Sequence, residues 1–106
     1  MELELRSKGI EMTAGLRAFT EKKLHFALGR FSHRVQRVRV TWTDINGPKG
    51  GEDIRCHVQV SLGRTGAASI TETRGDAFAA VSRAFKRTSQ HLSRRLARPH
   101  TSRRAG

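Results

Sequence analysis

A strict alternation of apolar and polar residues in the middle of the chain is the feature that most constrains its fold. The apolar positions recur at every second residue in two segments, Val38, Val40 and Trp42, then Ile54, Cys56, Val58, Val60 and Leu62. Because successive side chains of a strand point to opposite faces of a sheet, this period predicts two strands, each with one buried and one solvated face. Residues 44–52 between them are rich in turn formers and too long for a tight hairpin, which indicates a flexible link between antiparallel neighbours.

Two further strands are indicated on either side of this pair. Leu3 and Leu5 alternate with charged residues near the N-terminus, which predicts a short strand with one wet face. Ala68 and Ile70 form a weaker alternating pattern after the turn at residues 63–66. Each predicted strand has one apolar face, and only that face has to be shielded from solvent by another layer of the fold.

Two segments with helical periodicity can supply that cover. Residues 14–30 follow Thr13, whose hydroxyl can cap a helix. Their apolar arc consists of Leu16, Phe19, Thr20, Leu24, Ala27 and Phe31. The second helix follows Asp76, whose carboxylate is favourable at the N-terminal end of the helix dipole. Its apolar positions are Phe78, Val81, Phe85, Leu92 and Leu96, with Thr88 in the gap.

The predicted order of elements is therefore strand, helix, strand, strand, strand, helix. One apolar face on each element predicts an α+β domain, in which both helices pack on one face of a single four-stranded mixed sheet. The first strand-helix-strand unit should contain parallel strands and the other pairs antiparallel ones. We assign residues 1–98 to this domain. Residues 99–106 have no apolar residue to dock except Ala105, so we predict a basic, disordered tail.

The charge balance indicates the class of partner. The 106 residues include 21 lysines and arginines against 9 acidic residues, a formal charge of +12. Twelve basic and eight acidic residues precede Arg74, whereas the segment from Arg74 onward has nine basic residues and one acidic residue. Such an excess repels itself unless a polyanion neutralises it, so nucleic acid is the expected partner, with an anionic membrane surface second.

The second predicted helix concentrates this charge. Four arginines fall on one exposed stripe opposite the apolar positions, at about 100° per residue. They are Arg83, Arg87, Arg94 and Arg98, and Lys86 and Arg95 flank them. No acidic residue follows Asp76, although solvated helices usually include glutamates for pairing, so the stripe predicts contacts with successive phosphates. Lys23 of the first helix falls within its apolar arc; either its stem lies on the core, or its ammonium borders the binding surface.

No constellation for catalysis, metal binding or a cofactor stands out in the sequence. The five histidines include no pair at i, i+4 spacing on a predicted helix, and we predict that they face solvent. Cys56 and His57 are neighbours in a strand and point to opposite faces, so they cannot act as nucleophile and base. The glycine-rich residues 47–51 lack the spacing of a phosphate-binding loop and precede a strand. We therefore expect neither enzymatic activity nor a cofactor.

The same sequence indicates the compartment. Its single cysteine excludes an intrachain disulfide. No apolar run approaches the ~18 residues that span a bilayer, and the N-terminus lacks the basic and apolar regions of a secretory signal. We expect a soluble cytoplasmic protein with no membrane partner and no small-molecule substrate.

Two parts of the chain have residues in an order and spacing that are similar to those of a known protein family. Ile10-Glu11-Met12-Thr13 is followed by Leu16-Arg17, Phe19, Lys23 and Phe31, and then by Val38-Arg39-Val40. Later, Asp76-Ala77-Phe78-Ala79-Ala80-Val81 is followed by Arg87, Leu92 and Arg94. In order and spacing, over nearly residues 1–96, the chain resembles the ribosome hibernation-promoting factor and ribosome-associated translation inhibitor family.

The resemblance implies a β-α-β-β-β-α sheet similar to a double-stranded-RNA-binding domain. It also implies binding in the channel of the small ribosomal subunit where mRNA and tRNA lie, and a steric block of translation during stress. Ser82 and Leu96 depart from the acidic and basic residues usual at those positions of the family. The chain resembles a short form, without the dimerisation domain of long members, and we expect a monomer off the ribosome.

We therefore expect a ribosome-associated translation inhibitor that binds ribosomal RNA through the helical face. The residues assigned to RNA binding are Lys22, Lys23, Arg30, Arg83, Lys86, Arg87, Arg94, Arg95 and Arg98. The alternative is a generic structured-RNA or DNA-binding regulatory module that acts off the ribosome. A third interpretation is an adaptor that recruits a protein through its outer sheet face, which is also basic. Its basic residues are Arg37, Arg39, Arg55 and His57. A small nuclease is the least favoured.

Overall fold

The computed structural model describes the backbone of residues 1–46 and 53–105 and the side chains of residues 1–46 and 53–96. Its elements are β1 (Glu2–Lys8), α1 (Ala14–Leu28), β2 (Arg37–Asp44), β3 (Ile54–Ser61), β4 (Ala67–Arg74) and α2 (Ala77–Ala105). A 3₁₀ turn follows α1, and another joins β3 to β4. The α+β class and the order predicted from the sequence are confirmed. Most of the predicted flexible link, residues 47–52, lies outside the described residues.

The four strands form one mixed sheet in the order β1-β2-β3-β4. β1 pairs parallel with β2, which places Leu3 opposite Val38. The two remaining pairs are antiparallel, and Trp42 of β2 lies opposite Cys56 of β3. This pairing is the one predicted from the strand-helix-strand unit and the two hairpin-like connections. It directs the apolar side chains of all four strands to the same face.

Both helices cover that apolar face, and the core lies between the two layers. The largest fully buried side chains come from α1, β2, β3 and α2, and include Leu28, Trp42, Val58, Phe85 and Leu92. Phe78 differs from the sequence-based prediction, because it is 42% exposed. It lies in the first turn of α2 and packs edge-on against Phe19 of α1, with ring centroids 5.1 Å apart, instead of against the sheet.

The start of each helix is fixed by a side chain that the sequence identifies as a cap. The backbone N–H of Leu16 donates to Thr13 Oγ1 at 3.0 Å, and that of Ala79 donates to Asp76 Oδ1 at 2.8 Å. Such caps satisfy backbone amides that have no partner within the helix. The first turn of α2 is also tied to the sheet, since Trp42 Nε1 donates to the carbonyl of Ala77 at 3.1 Å.

The end of α2 differs from the sequence-based expectation. The backbone is helical from Ala77 to Ala105 and thus continues past Pro99, where we predicted a disordered tail. Proline removes one backbone donor and disfavours the helical conformation of the residue before it, which is the reason for that expectation. The side chains of residues 97–106 lie outside the described residues, and the division into residues 1–98 and 99–106 stays a prediction.

The only cysteine is expected to be unreactive in the native protein. Cys56 is fully buried on β3, and burial raises the pKa of its thiol to about 12, so the reactive thiolate is absent at neutral pH. We expect no reaction with a thiol reagent such as Ellman's reagent in native buffer and one modified thiol per chain in denaturant. Rapid modification under native conditions would contradict the burial of Cys56.

Candidate nucleic-acid interface

The exposed side of the helical layer carries most of the residues that the sequence assigns to RNA binding. α2 packs on β3, β4 and α1, so one of its flanks faces α1 and the other faces the β4 edge of the sheet. The predicted residues of α2 divide between these two flanks. The division determines which cations are free to meet a ligand.

The flank that faces α1 borders a groove between the two helices. This groove has a volume of about 570 Å³ and is lined by residues that include Lys23, Arg30 and Lys86. Phe26, also in the lining, is 88% exposed. The groove thus combines cations with an exposed aromatic ring, a combination typical of surfaces that bind nucleic acid.

Two of the groove cations are held by aromatic rings of α1 and the turn after it. The ammonium of Lys23 lies 5.5 Å from the centroid of Phe19. The guanidinium of Arg30 lies 4.7 Å from the centroid of Phe31 and donates to Ser89 Oγ at 3.3 Å. Lys23 is therefore half-buried beside the core while its ammonium borders the groove, so both interpretations of this residue describe part of its position.

On the flank that faces β4, Arg87 is engaged within the protein. Its guanidinium forms an ion pair with Glu72 and donates to the carbonyl of Thr71 at 3.1 Å. Glu72 also pairs with Arg74, at 2.8 Å between Nη1 and Oε1. The sequence assigned Arg87 to RNA binding, and that assignment stays a prediction. In the structure the residue fastens α2 to the edge of the sheet.

The carboxylate of Glu72 is stabilised in its charged form. Partial burial acts to raise its pKa, but the hydrogen bond from Arg87 and the charges of Arg74 and Arg83 outweigh burial, so its pKa lies below the ordinary value of 4.5. A lowered pKa in the folded state stabilises the protein above the unfolded-state pKa, and this contribution is lost as the pH falls through the folded-state pKa.

The variant Glu72→Gln is expected to lower the free energy of unfolding at pH 7. The loss should be about 1 kcal/mol, because the two ion pairs it removes are partly solvated. The difference from the wild type should begin to shrink near pH 4.5, the ordinary pKa at which Glu72 becomes protonated in the unfolded chain, and should be lost as the pH falls through the lower folded-state pKa. Urea unfolding at several pH values measures the loss of unfolding free energy and its dependence on pH. The control is Glu21→Gln, at an exposed position on α1. A difference that stays constant down to pH 3 would contradict this account.

Arg95 is also engaged within the protein. Its guanidinium donates to the carbonyls of Thr65 and Ala67 at 2.7 and 2.6 Å, and so holds the turn before β4. Gly66 lies between these two acceptors with φ +100°, and a Cβ there would lie 2.8 Å from Arg95 Nη2. The positive φ favours glycine at this position, and a Cβ would also crowd the guanidinium of Arg95. Arg95, like Arg87, therefore holds α2 to neighbouring parts of the fold.

The remaining predicted cations are exposed or border the groove, and we call their common face the helix surface. It consists of Lys22, Lys23, Arg30, Arg83, Lys86 and Arg94. Within the described residues, Arg83, Lys86 and Arg94 form no hydrogen bond or ion pair. The side chain of Arg98 lies outside the described residues, so its assignment to RNA binding is unchanged as a prediction.

Glu72 is the residue of this region that the sequence analysis missed. It occupies an inward position of β4, opposite Cys56, where an apolar residue would continue the alternation. A charged residue at an inward position of a strand indicates a partner on the covering layer, because a carboxylate is rarely buried unless it is paired. That signal was present, but the sequence alone does not say which arginine of α2 provides the partner.

Two other kinds of functional feature are missing from the described part of the chain. No cluster of three or more histidine, cysteine or acidic residues there could hold a metal ion. No helix there is long and apolar enough to cross a membrane.

Comparison with known proteins identifies the family to which this chain is similar. The model of the family described as sigma 54 modulation protein / S30EA ribosomal protein matches residues 3–99. A solved ribosomal subunit interface protein from Coxiella burnetii superposes with a TM-score of 0.77 at 18% identity, over 92% of this chain and 99% of that one. The N-terminal domain of Protein Y from Thermus thermophilus superposes with a TM-score of 0.73 at 26% sequence identity, over 89% of this chain and 98% of that one. No curated protein sequence matches the chain.

The fold and the family match define the class of protein, a ribosome-associated α+β domain. The chain belongs to the sigma 54 modulation / S30EA family of ribosome hibernation factors. Its function accordingly falls within ribosome hibernation and the regulation of translation, and the family is not a known enzyme family.

Proposed function

We propose that the chain binds the small ribosomal subunit, in the channel where mRNA and tRNA lie, and blocks translation sterically. The observation that carries the proposal is the helix surface, where six cations lie on one side of the molecule. The sequence from Ala77 onward has no acidic residue to neutralise the three cations that α2 contributes. Lysine and arginine contacts of this kind bind the phosphate backbone and depend little on base sequence.

The family match and the two structural neighbours support a ribosomal partner. One neighbour is a ribosomal subunit interface protein by name, and the family is one of ribosome-associated factors. On this basis we assign the chain to the cytoplasm. The monomeric state off the ribosome and the absence of a cofactor stay predictions from the sequence.

Co-sedimentation with purified ribosomal subunits tests the proposal. The protein should migrate with the small subunit in a sucrose gradient, and an excess of tRNA together with mRNA should displace it. It should also inhibit translation in a reconstituted system at concentrations close to that of the ribosome. Binding that tRNA and mRNA leave unchanged would exclude the channel. Failure to co-sediment would favour the alternative, a structured-RNA or DNA-binding regulator that acts off the ribosome.

The affinity for RNA should fall steeply as salt is raised. Each phosphate neutralised by a cation releases condensed counterions, so about six contacts predict a slope of log affinity on log salt of about −4 to −5. Titrations between 50 and 200 mM salt, roughly the range over which this effect is large, measure the slope. A value near zero would show that the cations of the helix surface do not contact phosphates.

A further inference from the structure

The face of the sheet opposite the helices is uncovered in the described part of the chain. We call it the outer sheet face, and it consists of the outward side chains of the four strands. Both helices pack on the other side, so these side chains meet solvent. A depression of about 450 Å³ occupies the end of this face where β1 ends and β3 begins.

Four cations line the depression: Arg6, Lys8, Arg39 and Arg55. The acid that neighbours them is Glu4, which accepts hydrogen bonds from Arg6 at 2.9 Å and Arg39 at 3.1 Å. These two bonds keep the pKa of the Glu4 carboxyl below its ordinary value, so it stays charged and orients both guanidinium groups. Among the residues that the structure describes, four cations against one carboxylate leave three positive charges on this small area.

The rest of the lining determines which kind of polyanion fits. Every residue that lines the depression is polar or charged, and its hydroxyl groups come from Thr41, Thr43 and Thr71. Protein partners usually bury an apolar or aromatic anchor at the centre of an interface, and none is available here. The lining has no phenyl or indole ring on which a base could stack, and its one imidazole, that of His57, is hydrogen-bonded through Nε2 to Ser69 Oγ. Hydroxyl, ammonium and guanidinium donors together suit the phosphate oxygens of a sugar-phosphate backbone.

The spacing of the sheet suits such a ligand. Side chains on one face repeat about every 7 Å along a strand, and neighbouring strands lie about 4.8 Å apart. Lys8 lies opposite Thr43 of β2, which in turn lies opposite Arg55 of β3. Lys8 and Arg55 thus flank a threonine at the same level of the sheet, and Arg6 and Arg39 lie further along the same face. The cations form an array that can contact several phosphates at once.

We propose that the outer sheet face is a second RNA-binding surface, which holds a sugar-phosphate backbone in the depression around Lys8 and Arg55. It lies on the opposite side of the molecule from the helix surface. A single molecule then contacts RNA on two sides.

Charge reversal at the two unpaired cations tests the proposal. Lys8 and Arg55 are exposed and form no ion pair within the described residues, so Lys8→Glu with Arg55→Glu leaves the core and the Glu4 pairs intact. The matched control is Arg34→Glu with Arg64→Glu, which changes the charge equally at exposed positions near the other end of the sheet. Circular dichroism and thermal unfolding establish that both variants are folded.

Binding to a fluorescent RNA duplex of about 16 base pairs, a length that an RNA-binding domain can span, provides the readout. The Lys8 and Arg55 double variant should bind about tenfold more weakly than the control and lower the salt slope by about 1.5, since two phosphate contacts are lost. The conservative pair Lys8→Arg with Arg55→Lys should restore binding. Equal affinities of the reversed pair and the control would overturn the proposal.

Two further arms separate this surface from the helix surface and from a protein partner. A variant with three helix-surface cations reversed should lose additional affinity when the Lys8 and Arg55 changes are added to it. If the helix-surface variant loses RNA binding and the Lys8 and Arg55 variant does not, the proposed function stands and the sheet proposal fails. Competition with poly-glutamate provides the other arm. If Lys8 and Arg55 matter for poly-glutamate but not for RNA, the surface binds an acidic protein and the proposal is wrong.

Discussion

The triple variant Arg83→Glu, Lys86→Glu, Arg94→Glu is expected to lose co-sedimentation with the small ribosomal subunit. None of the three side chains forms a hydrogen bond or ion pair within the described residues, and Arg83 contributes only its charge to the stabilisation of Glu72, which keeps its pairs with Arg74 and Arg87, so the fold should remain intact. An exposed ion pair contributes about 1 kcal/mol. Three lost contacts therefore weaken binding about 100-fold, and the repulsion between glutamate and phosphate adds to this.

A triple variant of equal charge on other surfaces is the matched control. Arg17, Arg34 and Arg64 are exposed, and they neither line the groove between the helices nor belong to α2. Their reversal to glutamate should leave most of the binding intact. If both triple variants lose binding equally, net charge alone governs association, and the helix surface has no special role.

Arg87 is left out of this variant for a structural reason. The sequence places it on the same stripe as Arg83 and Arg94, but in the structure it pairs with Glu72 and donates to Thr71. Reversal to glutamate would place two carboxylates side by side at the junction of α2 and β4. A loss of RNA binding in such a variant would report on the position of the helix as well as on phosphate contact.

The second large effect concerns stability. Trp42→Ala is expected to lower the free energy of unfolding by about 3–5 kcal/mol, the usual cost of removing a buried aromatic side chain. Trp42 is fully buried in the centre of the core, and its indole N–H holds the carbonyl of Ala77 at the start of α2. The variant should therefore also loosen α2, the helix that carries three of the six cations of the helix surface.

Urea unfolding followed by circular dichroism measures this effect, because Trp42 is the only tryptophan and the variant has no fluorescence signal of its own. Trp42→Phe keeps an aromatic ring but loses the N–H donor, and it should lie between the wild type and the alanine variant. Thr43→Ala, on the outer face of the same strand, is the control and should cost less than about 1 kcal/mol. A loss below about 1 kcal/mol in Trp42→Ala would contradict the assigned core.

The architecture could be predicted from the sequence because each helix and strand has a recognisable pattern within its own short segment of the chain. The period of two in β2 and β3 determines which side chains point inward, and the caps at Thr13 and Asp76 determine where the helices begin. A parallel first pair and antiparallel remaining pairs then follow from general rules of connection. Each of these inferences needs only residues that are near one another in the chain.

The candidate site was predictable only in part, because its details depend on contacts between distant residues. A helical wheel places Arg83, Arg87 and Arg94 together, but it does not say which flank of α2 meets β4. The pairing of Arg87 with Glu72 joins residues 15 apart, and the bond from Arg95 to Thr65 joins residues 30 apart. How α2 lies on the sheet decides such contacts, and this position is set by the whole core.

The position of α2 in the chain has a consequence for how the protein is made. All four strands precede α2, and this helix covers the apolar face of β3 and β4. During synthesis the sheet therefore leaves the exit tunnel before its cover, for a few seconds at the usual rate of elongation. Its core cannot close in that interval, and three of the six cations of the helix surface, Arg83, Lys86 and Arg94, have not yet emerged. If the chain acts as proposed, a nascent copy can block a ribosome only after the ribosome that makes it has read through α2.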